Sequence, residues 1–405
     1  MVSGFRMPVL ALLVGALFVG VAATNPAAVT AATQQAQGGT KAPGDAAKKA
    51  DQPVEKAAEK AANPAIGSAV VQVKTAVSAD PDDPSGNDIN LYTRSKIIDG
   101  KTVWIRVRTA DADRAGKAMD EAFEEVARIG RKFRPTGIMS EIGRINLFAG
   151  REEVIVSSET YTMLTLALKL CRQTQRGFDP TMRSFDYLWA FSRRPFVPPL
   201  DDEVAARLAI TGCDALILKP NRSVRIARPG VRITVAPLIA GHALQRLARI
   251  VESHGITAYR LRIGRDQYAM GSNGTRHWYT SVAHPDEPET ELAQVYVGSH
   301  GVATRSIHEQ AVIWHGKRFH NVLSSSTGKP ATGVVQATVV SPNAVTADAV
   351  SHALLALGPK KGIAMISGLS TDVEAFVIDN KGTIHATAGM SRIAPKLPSR
   401  VKLMR

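Results

Sequence analysis

The chain reads as an α+β protein. A β-hairpin signature opens the folded region, amphipathic helical stretches and short strand-like runs then follow in no regular order, and no segment repeats at a fixed period. A doubly wound parallel sheet would instead alternate strand and helix strictly. The apolar content of 44% over 405 residues is enough for one large core and excludes disorder of the whole chain.

Residues 95–108 form the hairpin, because Asp99-Gly100 is a favoured tight-turn pair and Val103, Ile105 and Val107 alternate with polar neighbours. Three helices are marked by apolar residues at helical spacing. The first carries Met119, Ala122, Phe123 and Val126, the second Leu164, Ala167, Leu168 and Cys171, and the third Leu244, Leu247, Ala248 and Val251. Gly177 and Gly255 stand where the second and third should stop. Strand-like runs occupy 215–218, 231–235, 258–263, 278–282, 292–297, 310–314, 334–340 and 373–378.

Ahead of this domain, assigned to 91–390, the composition changes twice. Over 1–31 a positive charge at Arg6, an apolar run from Met7 to Ala23 and small residues before Ala32 have the order of a secretory signal peptide. The alternative is an uncleaved anchor, since the run is close to the roughly 17-residue minimum for a span. Residues 32–90 are expected to be a disordered tether, too poor in apolar groups to offset chain entropy. Residues 391–405 read as a basic tail. The expected location is periplasmic or exported, with membrane contact only through an uncleaved N-terminal segment.

The net charge of +14 is spread along the chain without a basic block, which argues for a solvated surface and against nucleic-acid binding, while leaving an anionic cofactor compatible. The two cysteines, Cys171 and Cys213, permit at most one disulfide and are read as buried thiols.

The chemistry-bearing segments begin with Gly177-Phe178-Asp179-Pro180-Thr181, a turn with a carboxylate ahead of the aromatic stretch Tyr187-Leu188-Trp189-Ala190-Phe191. Alone it reads as a structural corner. Ser140-Glu141-Ile142-Gly143-Arg144-Ile145-Asn146 precedes it, and Gly301-Val302-Ala303-Thr304, Ser326-Thr327-Gly328-Lys329-Pro330-Ala331 and Thr346-Ala347-Asp348-Ala349-Val350-Ser351-His352 follow. In that order the segments resemble the FAD:protein FMN transferases, the ApbE family, across roughly 119–378.

The resemblance implies a single α+β domain with an FAD cleft, in which magnesium assists transfer of FMN to a Thr or Ser hydroxyl of an exported flavin-acceptor or redox protein, with release of AMP. It places Glu141, Asn146, Phe178, Asp179, Pro180, Thr181, Gly264, Asp266 and Thr304 beside the cofactor, and the metal at Asp348 and His352. From the residues alone, Glu141 and Asn146 read equally well as helix-end caps.

Several positions depart from the family pattern. His352 replaces a Thr, giving an imidazole where magnesium prefers oxygen. Ala240 stands at a customary lysine, Pro237 at a glycine, Arg265 within a Gly-Gly-Asp element, and Ala303-Thr304-Arg305-Ser306 where Thr-Ser-Gly is usual. The family's histidine falls on Asn321, or on His320 with a one-residue shift, and its aspartate on Ser324. Two functions follow from this pattern: a divergent transferase, or a catalytically silent flavin-binding or assembly module of an exported redox system.

Overall fold

The computed structural model describes residues 90–274, 277–369, 372–395, 397 and 401–404. The segments expected as export signal and tether lie outside the described residues, except for Asn90. Residues 390–404 contribute a short helix, Met390–Ile393, and an edge strand, Val401–Met404.

A nine-stranded sheet organises the domain, and its strands lie side by side in the order in which they occur in the chain. They are Leu91–Ile98, Lys101–Arg108, Ala258–Ile263, Asp266–Met270, Gly301–Ser306, Val334–Ser341, Glu374–Asp379, Ile384–Thr387 and Val401–Met404. All neighbours are antiparallel except the last pair. The opening hairpin turns at Asp99 and Gly100, both at positive φ, as the Asp-Gly pair requires.

The helices arise from the apolar spacing seen in the sequence. Ala112–Lys132 is capped by Asp111, Ser158–Gln173 by Ser157, and Ala236–Ser253 ends before Gly255 at φ +73°. Helix Ala344–Leu357 is different, being apolar on nearly all sides and buried from Ala344 to Ser351. Asn343 caps it by accepting from the backbone N–H groups of Val345 and Thr346 at 2.9 and 3.1 Å. It packs against Ala236–Ser253 and against the strands Gly301–Ser306 and Val334–Ser341. Gly241 lies at the crossing of the two helices, where a Cβ would collide with the Ala344 carbonyl.

Three expectations are corrected. Cys171 and Cys213 form a disulfide with a Cα separation of 6.7 Å, because folding brings the end of one helix beside the Gly212 turn. Residues 231–235 belong to no strand or sheet, since side chains take up part of their backbone hydrogen bonding. The Asn146 amide pairs with both the N–H and the carbonyl of Ile233 at 2.7 and 2.8 Å. Gly177 is not the helix stop. The left-handed residues there are Gln175 and Arg176, whereas Gly177 lets the turn approach Leu357, whose side chain would lie 2.8 Å from an added Cβ.

Candidate functional site

Two cavities meet on one side of the sheet. The first, of about 510 Å3, is mainly apolar, with walls that include Val126, Phe133, Ile239, Ala240, Ala243 and Ile263. The second, of about 630 Å3, is more polar, and its wall includes Phe178, Asp179, Arg183, Arg305, Asn321 and His352. Lys101, Pro135 and Ala236 line both, so the two form a continuous cleft. Volumes of this size fit an organic ligand.

The floor of the polar part follows from one buried charge. Asp348 is fully buried in an otherwise apolar helix, and a carboxylate there requires partners. Its Oδ2 accepts from the Gly241 backbone N–H at 3.1 Å and its Oδ1 from Arg305 Nη2 at 2.6 Å. Arg305 comes from strand Gly301–Ser306, on the face covered by the helix. Its Nη1 donates to Asp266 Oδ1 at 2.5 Å and to the Thr304 carbonyl at 2.9 Å, its Nη2 also to Asp266 Oδ2, and its Nε to His352 Nε2 at 3.1 Å.

These contacts set the protonation states. Burial pushes the Asp348 pKa up, Arg305 opposes it, Asp266 adds to it, and the balance is upward. Burial, with the positive charges of Arg305 and Lys101, holds the His352 imidazole well below its ordinary value, consistent with Nε2 accepting a hydrogen bond. Burial alone would lower the Arg305 pKa, but Asp266 and Asp348 raise it, so the guanidinium is permanently charged.

The Gly177–Thr181 turn forms the opposite wall. Asp179 accepts from the Thr181 N–H at 2.9 Å and its hydroxyl at 2.5 Å, and from Arg176 Nε at 2.8 Å. The turn is fixed from below by an aromatic cluster of Phe185, Trp189, Phe196 and Phe319, and Trp189 Nε1 donates to the Gly328 carbonyl at 2.9 Å. The segments around Asp179 and Thr327-Gly328, far apart in sequence, are thereby joined.

Of the residues expected beside a cofactor, Phe178 and Asp179 line the cleft, and Pro180 and Thr181 are buried beside them. Glu141 and Asn146 are engaged elsewhere. Glu141 accepts from the Ser157 N–H and hydroxyl at 2.9 and 2.8 Å, at the start of helix Ser158–Gln173, and Asn146 holds the backbone at Pro135 and Ile233. Gly264 makes the turn between two strands at φ +60°. Thr304 points to the opposite face of its strand from Arg305 and, with Arg265, lines a separate cavity of about 540 Å3. Asp266 is committed to Arg305.

The alternative histidine positions separate at the end of strand Lys317–His320. His320 turns into the interior, its Nε2 3.1 Å from the Ala331 carbonyl, whereas Asn321 is exposed on the cleft, its Nδ2 donating to Gln310 Oε1 at 2.5 Å. Ser324 lies in a turn with its hydroxyl 2.9 Å from that of Ser326. Asp348 and His352 converge, as i,i+4 spacing on a helix requires, but they converge on Arg305. Sequence reasoning assigned no role to Arg305 or Lys101. The Arg at the place of a small residue was the available signal for the first, and nothing marked the second.

The donor set does not fit magnesium. That ion needs near-octahedral oxygen ligands at about 2.0–2.1 Å, whereas both Asp348 oxygens accept from N–H donors and the neighbours are an imidazole, a guanidinium and the Asp266 carboxylate, itself bonded to that guanidinium. Among the described residues, the one group of three possible ligand atoms within 4.8 Å is Cys171, Asp179 and Cys213, whose two sulfurs are bonded to each other.

An α+β domain whose apolar slot opens onto a more polar floor, with Lys101 at the junction, has a cleft that suits an aromatic, anionic ligand. The comparisons give the family. The model of the ApbE family matches residues 100–377, and the chain belongs to that family. It is 27% identical over 278 residues to a FAD:protein FMN transferase of Vibrio cholerae, covering 67% of this chain and 82% of that one. A second FAD:protein FMN transferase, from Klebsiella pneumoniae, is 27% identical over 251 residues, covering 60% and 72%. The crystal structure of the ApbE protein of Thermotoga maritima superposes with a TM-score of 0.69 at 26% identity, covering 75% of this chain and 99% of that one.

Proposed function

We propose that the chain is an FAD:protein FMN transferase that binds FAD in the two-part cleft and transfers FMN to a Thr or Ser hydroxyl of an exported acceptor protein. The observation that carries this reading is the junction of the two cavities at Lys101: the apolar part suits a flat ring system, and Lys101 supplies positive charge for a diphosphate, whereas Arg183 and Arg305 are paired with Asp186 and with Asp266 and Asp348. In the transfer, the acceptor hydroxyl oxygen forms a bond to the FMN phosphorus. The bond from that phosphorus to the oxygen retained by AMP breaks, AMP leaves, and the hydroxyl proton passes to water. Magnesium, implied by the family, does not fit these residues, and no step is routed through it. The segment 1–31 supports export as signal or anchor, with action on the periplasmic side.

A second reading, a silent flavin-binding or assembly module, is favoured by Asn321, an amide facing the cleft where the family resemblance puts an imidazole. Purified protein incubated with FAD and a flavin-acceptor domain separates the two. AMP together with a covalently flavinylated acceptor supports the transferase, bound FAD without either product leaves the silent module, and absence of FAD binding overturns both flavin readings.

A further inference from the structure

We propose that Arg305 is the permanent cation of this site, standing in place of a divalent metal, so that the cleft holds its ligand without one. The inference rests on the flavin reading only for the ligand's identity; the cation's place rests on geometry.

A guanidinium has five N–H bonds, and here each has an acceptor: His352 Nε2, Asp266 Oδ1, the Thr304 carbonyl, Asp266 Oδ2 and Asp348 Oδ1. The same contacts engage every group that a metal would use. Asp348 Oδ1 and both oxygens of Asp266 receive from Arg305, Asp348 Oδ2 receives from Gly241, and the His352 lone pair is taken by Nε. A metal at these groups must compete with a guanidinium whose side chain is 12% exposed and held on three sides.

Charge leads to the same result. Asp266 and Asp348 are both nearly or fully buried, and such a pair cannot stay ionised together without a counter-charge. Arg305 supplies that charge as part of the fold. With every donor committed and its charge balanced by Asp266 and Asp348, Arg305 makes no direct hydrogen bond to a phosphate, and those bonds are left to other cleft residues, Lys101 foremost.

The test uses the full-length protein, first stripped with EDTA. Manganese titration followed by electron paramagnetic resonance is expected to show no stoichiometric uptake, and FAD binding followed by flavin fluorescence is expected to be the same in EDTA as in magnesium. Arg305→Ser is expected to bind manganese at least roughly tenfold more tightly than the wild type, because it frees the Asp348 and Asp266 oxygens. One equivalent of manganese bound by the wild-type protein and lost in Asp348→Asn overturns the proposal, whether or not the Arg305 variant folds. Failure to bind FAD in either medium removes the flavin reading, and the manganese result still decides this one.

Discussion

Arg305 Nη2 and Asp348 Oδ1 lie 2.6 Å apart and join the central strand Gly301–Ser306 to the buried helix Ala344–Leu357. Removing Asp348 leaves an Arg305 N–H and the Gly241 N–H buried without an acceptor, although Asp266 still balances the guanidinium charge. Asp348→Ala is therefore expected to destabilise the domain by about 3 kcal/mol. The check is urea denaturation: a fall in midpoint at unchanged slope is expected, and an unchanged midpoint shows that the pair contributes nothing to folding.

Lys101 is exposed at the start of its strand and lines both parts of the cleft. Its replacement should leave the fold intact while removing a positive charge from the diphosphate position. Lys101→Ala is expected to weaken FAD binding by about tenfold, or about 1.4 kcal/mol, with a reduced dependence on salt. Equal affinity for the two proteins, measured by flavin fluorescence at low salt, rules out Lys101 as a phosphate contact.

How far the sequence revealed this site depends on how local each signal is. The hairpin at Asp99-Gly100 was legible because turn chemistry and alternation lie within a few residues. Residues 231–235 have the same apolar alternation as a strand, yet Ile233 pairs with the Asn146 side chain 87 residues away, which no local pattern shows. Strand Gly301–Ser306 went unread because it is buried on both faces and so lacks alternation. Arg305 stood out only as a departure from the family pattern. Its meaning lies in partners 39, 43 and 47 residues distant.

The Cys171–Cys213 bridge closes a loop of 42 residues that contains the Gly177–Thr181 turn and Phe185, Trp189 and Phe196 of the aromatic cluster beneath it. A cross-link of this span restricts the unfolded chain. Replacing both cysteines with serine is expected to cost about 2–4 kcal/mol, read as a lower thermal midpoint than that of the oxidised wild type. A midpoint that is the same for the wild type with and without reductant shows that the bridge does not stabilise the domain.

Asn321 presents an amide to the cleft, where a proton acceptor would assist attack by the acceptor hydroxyl. Asn321→His supplies an imidazole with a pKa near neutrality. If the remaining machinery is competent, AMP release with an acceptor domain should rise by at least about tenfold, within the usual range for general base catalysis. The increase should follow the deprotonation of histidine as pH rises through about 6.5. A rate that stays flat across that range places the defect elsewhere in the site.

Away from the cleft, Glu159 lies within a charge network that ties helix Ser158–Gln173 to helices Ala112–Lys132 and Ala236–Ser253. It accepts from Arg128 at 2.7 and 2.9 Å, and Lys132 and His242 lie 3.6 and 3.5 Å away. The Arg128 hydrogen bond outweighs partial burial and holds the Glu159 pKa at about 2, below its ordinary 4.5. A carboxyl with a depressed folded-state pKa binds more protons when unfolded, so its stabilising effect is complete above pH 4.5 and is lost as pH falls towards 2. Glu159→Gln removes that dependence. The difference in stability between wild type and variant should therefore be largest above pH 4.5 and shrink across this window, as read from urea denaturation at a series of pH values. Partial exposure of both partners keeps the effect small, on the order of 1 kcal/mol at neutral pH. A difference that stays constant from neutral pH down through the window shows that the Gln variant acts by altered packing and not by loss of the ion pair.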